Sequence, residues 1–426
     1  MKLATVSFGG EEWIVDPKYA LLKKVGSGAY GCVAAARDTS DEARAVNGGE
    51  TVAVAIKKIA NVFADAVDAK RILREVRLMR NWGHPCVLGL YDVVEPSFSN
   101  DFEDLYLVTP LLTTDLSKII YSKTVLSEEQ KLYLFYQMCC GVHYINSAGV
   151  LHRDLKPANL LVDVKTCTLK VCDFGLSRCA RSPGASGLDD VGGGGAGAAD
   201  GARGGADADY TEYVVTRWYR APEIMLGLHR YGAPIDCWSL ACIFAEVLLK
   251  EPLFAGNDYL HQLKIILRQI GSPSAEDAAF VDNAQARAFL DGQPAYDRKP
   301  LAQRIANAPR GTLALVEAML EFHPTKRRPI ADCVADACFD EYREEDLEAR
   351  AGFSVEMDDV ESVKLEKGAI QKLLYDDIRA FHRSEPADRA PPPRPQLDKE
   401  DSIRTAISVD RLNDIRDAMI EDMRIN

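Results

Sequence analysis

The chain of 426 residues contains no apolar run approaching the roughly twenty residues that cross a bilayer. The longest candidate, Trp238 to Leu249, carries Glu246, ends at Lys250, and reads as a buried helix. The N-terminus is not signal-like. The eleven cysteines include no C-x-x-C pair and no His/Cys spacing of a zinc site, so they are expected to be reduced, mostly buried thiols of a cytosolic or nuclear protein. An excess of positive charge is missing too. The formal net charge of −13 argues against an obligate nucleic-acid or anionic-membrane partner. No internal repeat is present. What is there is an apolar content of 47%, enough for a large core, in a length that suits two lobes and a tail.

The stretch from His152 to Gly175 organises the rest. It reads H-R-D-L-K-P-A-N-L-L-V from His152 to Val162, then D-F-G at Asp173, Phe174 and Gly175. Asp154 is suited to orient a substrate hydroxyl and accept its proton, and Lys156 to place positive charge on a transferring phosphoryl group. Asn159 and Asp173 supply hard oxygen ligands for magnesium. Either motif alone has a bland reading, chance for H-R-D and a turn for D-F-G; both in this order form a protein-kinase signature.

Upstream, Tyr19 to Val25 leads into G-S-G-A-Y-G-C-V (Gly26 to Val33), whose glycines let backbone amides approach a polyphosphate. Asp38 to Glu50 reads as a polar loop between strands. Lys57 ends the alternating run V-A-V-A-I-K. It is either a solvated strand end or, behind a Gly-rich loop, a clamp on the α- and β-phosphates. Helical spacing from Asp68 to Trp82 carries Glu75, either a solvated charge or the partner of Lys57. Strands are expected at Val87–Val94 and Leu105–Thr109. Leu105 to Leu116 reads as a hinge with Thr109 as a small gatekeeper. Pro110 lacks an N–H, but a hinge there needs only a carbonyl acceptor, and Leu112 supplies the donor. Asp115 is either a helix N-cap or a ribose ligand, two roles that are compatible.

S-E-E-Q at Ser127 opens a helix to Ala148. Arg181 to Asp209 is rich in Gly, Ala and Asp, too poor in bulky apolar residues to offset its ordering entropy, and is expected to be a disordered insertion. Further helices are expected at Asp236–Leu249, His261–Gly271, Thr312–Glu321 and Ile330–Cys338. The helix Glu366–His382 gathers Ile370, Leu373, Leu374, Ile378 and Phe381 on one face that must dock somewhere. A proline-rich linker and an amphipathic tail close the chain.

Together with T-E-Y at Thr211 to Tyr213, V-V-T-R-W-Y-R-A-P-E after it, L-V-T-P-L-L-T-T-D-L, and P-L-F-A-G-N-D-Y-L-H-Q-L-K-I-I from Pro252, these motifs make the chain resemble a mitogen-activated protein (MAP) kinase over roughly Asp16 to Arg383. The resemblance implies an α+β, two-lobed fold: a β-rich N-lobe over 1–108, a hinge over 109–116, and a mainly helical C-lobe over 117–345. The activation segment is 173–223 and a family insert lies at about 252–310. An extension over 346–390 packs back on the N-lobe, and 391–426 forms the linker and tail.

The resemblance also implies a proline-directed Ser/Thr kinase using ATP and Mg2+. ATP would lie among Val25, Gly26, Ser27, Gly28, Ala29, Tyr30, Gly31 and Val33 of the loop and Ala55 and Lys57 of the next strand. Thr109, Pro110, Leu111, Leu112 and Asp115 of the hinge would complete its site with Lys156, Asn159, Leu161, Cys172 and Asp173 below. Thr216 would touch Asp154 and Lys156. An upstream dual-specificity MAP kinase kinase would phosphorylate Thr211 and Tyr213. Arg71, Arg74, Arg153 and Arg178 would receive the first phosphate, Arg217 and Arg220 the second. Glu341, Glu344, Glu345 and Asp346 resemble an acidic patch that docks basic segments of partners and phosphatases; the bland alternative is a solvated helix end. Cys172 should face the nucleotide and accept electrophiles. The chain departs from the family in the long activation segment, in Ala241 for a usual glycine and in His323 for a usual aspartate, both expected to be tolerated. A partner-binding pseudokinase is disfavoured because Lys57, Asp154, Lys156, Asn159 and Asp173 are all present. A cyclin-controlled kinase is disfavoured because the region around Glu75 has no cyclin-recognition motif.

Overall fold

A computed structural model describes residues 3–28, 31–96, 102–123, 125–180, 217–228, 231–309 and 311–383. Thr211, Tyr213, Thr216, the insertion 181–209, the loop tip Ala29–Tyr30 and the tail beyond 383 lie outside them.

The N-terminal part is β-rich. A hairpin of β1 (Ala4–Phe8) and β2 (Glu11–Val15) precedes a five-stranded antiparallel sheet. Its strands are β3 (Tyr19–Gly28), β4 (Gly31–Asp38), β5 (Val52–Ile59), β6 (Asp92–Val93) and β7 (Leu105–Pro110), in the order β3-β4-β5-β7-β6. Period-two alternation sorts β5: Val54, Ile56 and Lys58 face one side and are buried, while Ala55 and Lys57 face the other. Lys58 therefore reaches back to the Glu12 carbonyl at 2.6 Å, leaving Lys57 for the opposite face.

Two expectations for this part need correction. The polar stretch between β4 and β5 contains a helix, α1 (Asp41–Val46), because Ser40 accepts a hydrogen bond from the Ala43 amide and Asp41 and Glu42 fill the first turn. Val87–Val94 is mostly not strand. Leu88 donates to Val171 at 2.9 Å and Leu90 to Met79 at 3.2 Å, so these amides are used by other elements, and pairing with β7 is confined to the end of the stretch, Tyr91 to Val94, of which Asp92–Val93 is strand.

Helix α2 (Ala66–Met79) is capped by Asp65, which accepts from Val67 and Asp68. After it the chain returns to the sheet through β6 and β7, and the C-terminal part starts with α3 (Leu116–Tyr121) and α4 (Glu128–Ser147). Helix α4 opens with the expected capping box, Ser127 and Gln130 bonding each other's backbone amides. Together with the apolar helix Pro234–Leu249, α4 forms the centre of the main core, where Phe135 stacks on Phe244 at 3.9 Å. The helix expected at Ile330–Cys338 stops at Val334. Asp336 accepts from the Cys338 amide and starts a separate 3-10 segment, Ala337–Tyr342. The helix at Thr312 stops at Met319. The apolar face of the last helix, Lys367–Arg383, does find its dock: it packs on α2 with Ile370, Leu374, Ile378 and Phe381 buried. No helix among the described residues is long and apolar enough to cross a membrane.

Candidate active site

The glycine hairpin is built from β3 and β4, with Gly28 opposite Gly31. Gly31 has φ of 137°, and a Cβ there would lie 1.9 Å from the Lys58 carbonyl oxygen, so no other residue fits. Around Gly26 nothing lies within 4 Å of an added Cβ, which leaves the backbone open to a ligand. Across the sheet Val33 faces Lys57 and Ala55 faces Thr109, so loop, lysine and gatekeeper are aligned by strand register. Val33, Ala55, Thr109, Leu112 and Leu161 are all half-buried, as lining residues of an open cleft are.

Lys57 Nζ lies 3.0 and 3.2 Å from the two carboxylate oxygens of Glu75 on α2. Burial by itself lowers its pKa, but Glu75 and Asp173 outweigh this and leave it above the ordinary lysine value, hence fully cationic.

Below the cleft, β8 (Leu160–Asp163) and β9 (Thr168–Val171) form a hairpin in which Leu160 pairs with Val171. That register brings together the residues just before and just after it: the Cys172 amide donates to the Asn159 carbonyl at 3.0 Å. Asp173 follows with φ of 67°, and Arg153 has φ of 70°; both are left-handed conformations held by the surrounding packing. Phe174 is buried against Trp82 (5.6 Å) and His152 (5.4 Å), which turns Asp173 outward to an exposed position.

The Asp154 carboxylate is buried and asymmetric. Its Oδ2 takes Lys156 Nζ at 3.1 Å and Asn159 Nδ2 at 3.2 Å, and Asn159 Nδ2 also bonds the Asp154 carbonyl at 2.9 Å. Oδ1 is buried with no hydrogen-bond partner among the described residues. A buried acceptor without a donor is costly, and an incoming hydroxyl would satisfy it. Beside it lies a small cavity lined by Arg153, Leu155, Tyr219 and Arg220.

One residue that mattered was not singled out in the sequence. Asp236 accepts from the His152 amide (Oδ2) and the Arg153 amide (Oδ1), each at 2.9 Å, and from Asn146 Nδ2 at 3.0 Å, fixing the loop that carries Asp154. Its one signal was a carboxylate in the first turn of a mostly apolar helix.

A protein kinase domain matches residues 19–339. Among curated relatives, the extracellular signal-regulated kinase 1 of Dictyostelium discoideum is 37% identical over 377 residues, 88% of this chain and 65% of that protein. The mitogen-activated protein kinase 7 of Arabidopsis thaliana is 37% identical over 370 residues, 86% of this chain and 90% of that protein. The mitogen-activated protein kinase 3 of Oryza sativa subsp. japonica is 41% identical over 322 residues, 75% of this chain and 78% of that protein. The chain belongs to the MAP kinases.

For this kinase the family implies a nucleotide triphosphate and a divalent cation. The residues present fit them: Asn159 and Asp173 offer oxygen donors beside an open cleft, and no three His, Cys, Asp or Glu side chains among the described residues close into a metal cage. A magnesium ion shared with phosphates needs only one or two protein oxygens.

The remaining expected residues differ in what already engages them. Asp115 caps α3, accepting from the Lys118 amide at 3.1 Å and from Ser117, with Lys118 Nζ 3.1 Å from Oδ2. Burial and the neighbouring Asp173 push the Cys172 thiol well above its ordinary pKa, so it is a protonated thiol and not a ready nucleophile. Arg74 and Arg178 converge on one carboxylate, Glu361. Arg153 donates to the Leu176 carbonyl at 3.3 Å, and Arg71 pairs with Asp68 at 3.0 Å. Arg217 and Arg220 lie 5.7 and 5.9 Å from the ring of Tyr259, Arg220 also donating to its hydroxyl. In the acidic patch Glu341, Glu345 and Asp346 are exposed. Glu344 is half-buried and takes the Tyr133 hydroxyl at 3.0 Å, so it also braces α4.

Proposed function

We propose that this MAP kinase transfers the γ-phosphoryl group of Mg2+–ATP to serine or threonine followed by proline, under control of phosphate on Thr211 and Tyr213. The observation that carries the chemistry is the buried Oδ1 of Asp154, without a partner among the described residues, beside an Oδ2 already held by Lys156 and Asn159. The acceptor hydroxyl donates to Oδ1, its oxygen attacks the γ-phosphorus, the bond to the β–γ bridging oxygen breaks, and ADP leaves; the proton passes to Asp154. Lys156 balances charge on the transferring group, and Lys57, held by Glu75, anchors the α- and β-phosphates. Asn159 and Asp173 would hold the magnesium, which neutralises phosphate charge when bound.

In this reading the upstream activator is a dual-specificity kinase. Arg71, Arg74, Arg153 and Arg178 receive phospho-Thr211, Arg217 and Arg220 receive phospho-Tyr213, and Glu341, Glu345 and Asp346 dock basic partner segments. Residence in cytoplasm and nucleus is part of the same proposal. The test is a peptide array phosphorylated by the doubly phosphorylated chain, with Asp173→Ala as control. Label on Ser-Pro and Thr-Pro peptides, lost when proline becomes alanine and absent with the control, is the expected result. Labelling indifferent to proline would overturn the specificity, and label that persists with Asp173→Ala would overturn the site.

A further inference from the structure

Glu361 lies on the short helix Asp358–Ser362, far along the chain from the active site, yet it reaches the group that organises α2. Its carboxylate meets Arg74 in a fork, Nε to Oε1 at 2.8 Å and Nη2 to Oε2 at 3.2 Å, and Arg178 Nε stands 3.6 Å from Oε2. The Lys70 ammonium bonds the Glu361 carbonyl at 2.5 Å. Arg74 is only 2% exposed, so its guanidinium needs a counter-ion. Its remaining arm, Nη1, donates to the Gly175 carbonyl at 2.7 Å, inside the D-F-G motif. The next residue on α2 is Glu75, the partner of Lys57. One carboxylate thus joins the C-terminal extension, α2 and the start of the activation segment.

Among the described residues three cations, Lys70, Arg74 and Arg178, gather around the one carboxylate of Glu361. Burial, with Arg74 and Arg153 nearby, lowers Arg178 to about 10 despite Glu361. A second anion therefore has reason to enter.

We propose that Glu361 is a positioning residue, an internal counter-ion that holds Arg74 and Arg178 where a phosphate would, so that α2 keeps Glu75 on Lys57 before the activation segment is phosphorylated. The proposal rests on the reading of Arg74 and Arg178 as phosphate receivers. It extends that reading: a phosphate arriving at this cluster shares or displaces a carboxylate already in place, so phosphorylation adds less to α2 placement than it would if Arg74 began unpaired.

The experiment compares wild type, Glu361→Gln, Glu361→Asp and Asp359→Asn, each as the full chain, phosphatase-treated and doubly phosphorylated. Asp359 pairs with Arg77 through two contacts of 2.9 Å on the same helix but does not touch Arg74, so Asp359→Asn controls for mere loosening of the extension. The expected result for Glu361→Gln is a fall in kcat of about 5-fold or more in the unphosphorylated form, with peptide KM unchanged and less than about 2-fold change in the phosphorylated form. Glu361→Asp should recover part of the loss, and Asp359→Asn should not reproduce it. Amide hydrogen exchange along α2 should quicken in unphosphorylated Glu361→Gln alone. Equal losses in both phosphorylation states, the same loss in Asp359→Asn, or unchanged exchange along α2 would each overturn the proposal. If instead the phosphorylated wild type fails to label Ser-Pro peptides, the functional reading fails by itself, and the exchange measurement still decides the role of Glu361.

Discussion

Arg327 and Glu223 form a double-bonded ion pair sealed from solvent, with Nη1–Oε1 of 2.8 Å, Nη2–Oε2 of 3.0 Å and both side chains 0% exposed. The guanidinium is satisfied further by the Pro234 carbonyl at 2.7 Å and the Glu321 carbonyl at 3.1 Å, and it lies 5.1 Å over Trp238. The pair ties the end of the activation segment to the helical core. Removing either partner leaves the other buried and unpaired. Glu223→Gln or Arg327→Met should therefore cost about 3–5 kcal/mol in urea unfolding. The double variant should cost less than the sum of the two, because the second change removes the orphaned charge.

The Lys57–Glu75 pair predicts a kinetic defect without a folding defect. Lys57 sits on an open face of β5, so Lys57→Met leaves the sheet core untouched. It should lower kcat by about 10²–10³-fold, the loss typical for one preorganised electrostatic group. Far-UV circular dichroism should be unchanged; a lost sheet signal would show that the lysine is structural.

His84 predicts a pH dependence of stability. Its Nε2 lies 3.0 Å from the Leu347 carbonyl, its Nδ1 accepts from the Cys86 amide at 3.1 Å, and its ring stacks on Tyr144 at 4.6 Å. Both nitrogens are used by the neutral ring, and a second proton on Nδ1 would face an N–H. Burial, with Lys170 and His143 nearby, brings the pKa from 6.5 to about 4 despite the Leu347 carbonyl. A histidine depressed in the folded state binds fewer protons than in the unfolded chain. Its contribution is therefore complete above pH 6.5 and lost between there and about 4, amounting to about 3 kcal/mol. Unfolding free energies measured over this range should fall for wild type and fall less steeply for His84→Gln.

Gly31 predicts a coupled loss of stability and nucleotide affinity. An added methyl would press on the Lys58 carbonyl and must also hold φ at 137°. Gly31→Ala should cost on the order of 1–3 kcal/mol and raise the ATP Kd by isothermal titration, because the strand pair that carries the loop must shift. Gly26→Ala, with open space around it, should spare stability; a large loss of stability there would refute the contrast.

Much of the site was legible because its chemistry is carried by neighbours in sequence. Asp154, Lys156 and Asn159 are within one loop, so their mutual hydrogen bonds follow from a local backbone path, and Ser127 with Gln130 announces a helix start for the same reason. The helix α1 was missed because a capping serine followed by acids resembles any polar loop until a neighbour holds it. Val87–Val94 misled because its first apolar residues serve α2 and β9, and only its last four residues pair with β7. Asp115 and Glu344 remained ambiguous because a carboxylate cap or brace has the same local signature as a binding group.

The amino-acid sequence by itself determined the reaction class, the strands and helices with strong periodicity, and the amphipathic face of the last helix. Only the tertiary structure decided which charges meet. With 51 basic and 64 acidic residues, a Coulomb partner carries no signature of spacing. Glu75 could be assigned to Lys57 only by resemblance, while Glu361 on Arg74, Glu223 on Arg327 and Asp236 on the His152 amide became visible when packing brought distant segments within 3 Å of one another. Burial then gave those pairs their weight, because a charge removed from water must be matched by whatever the fold places beside it.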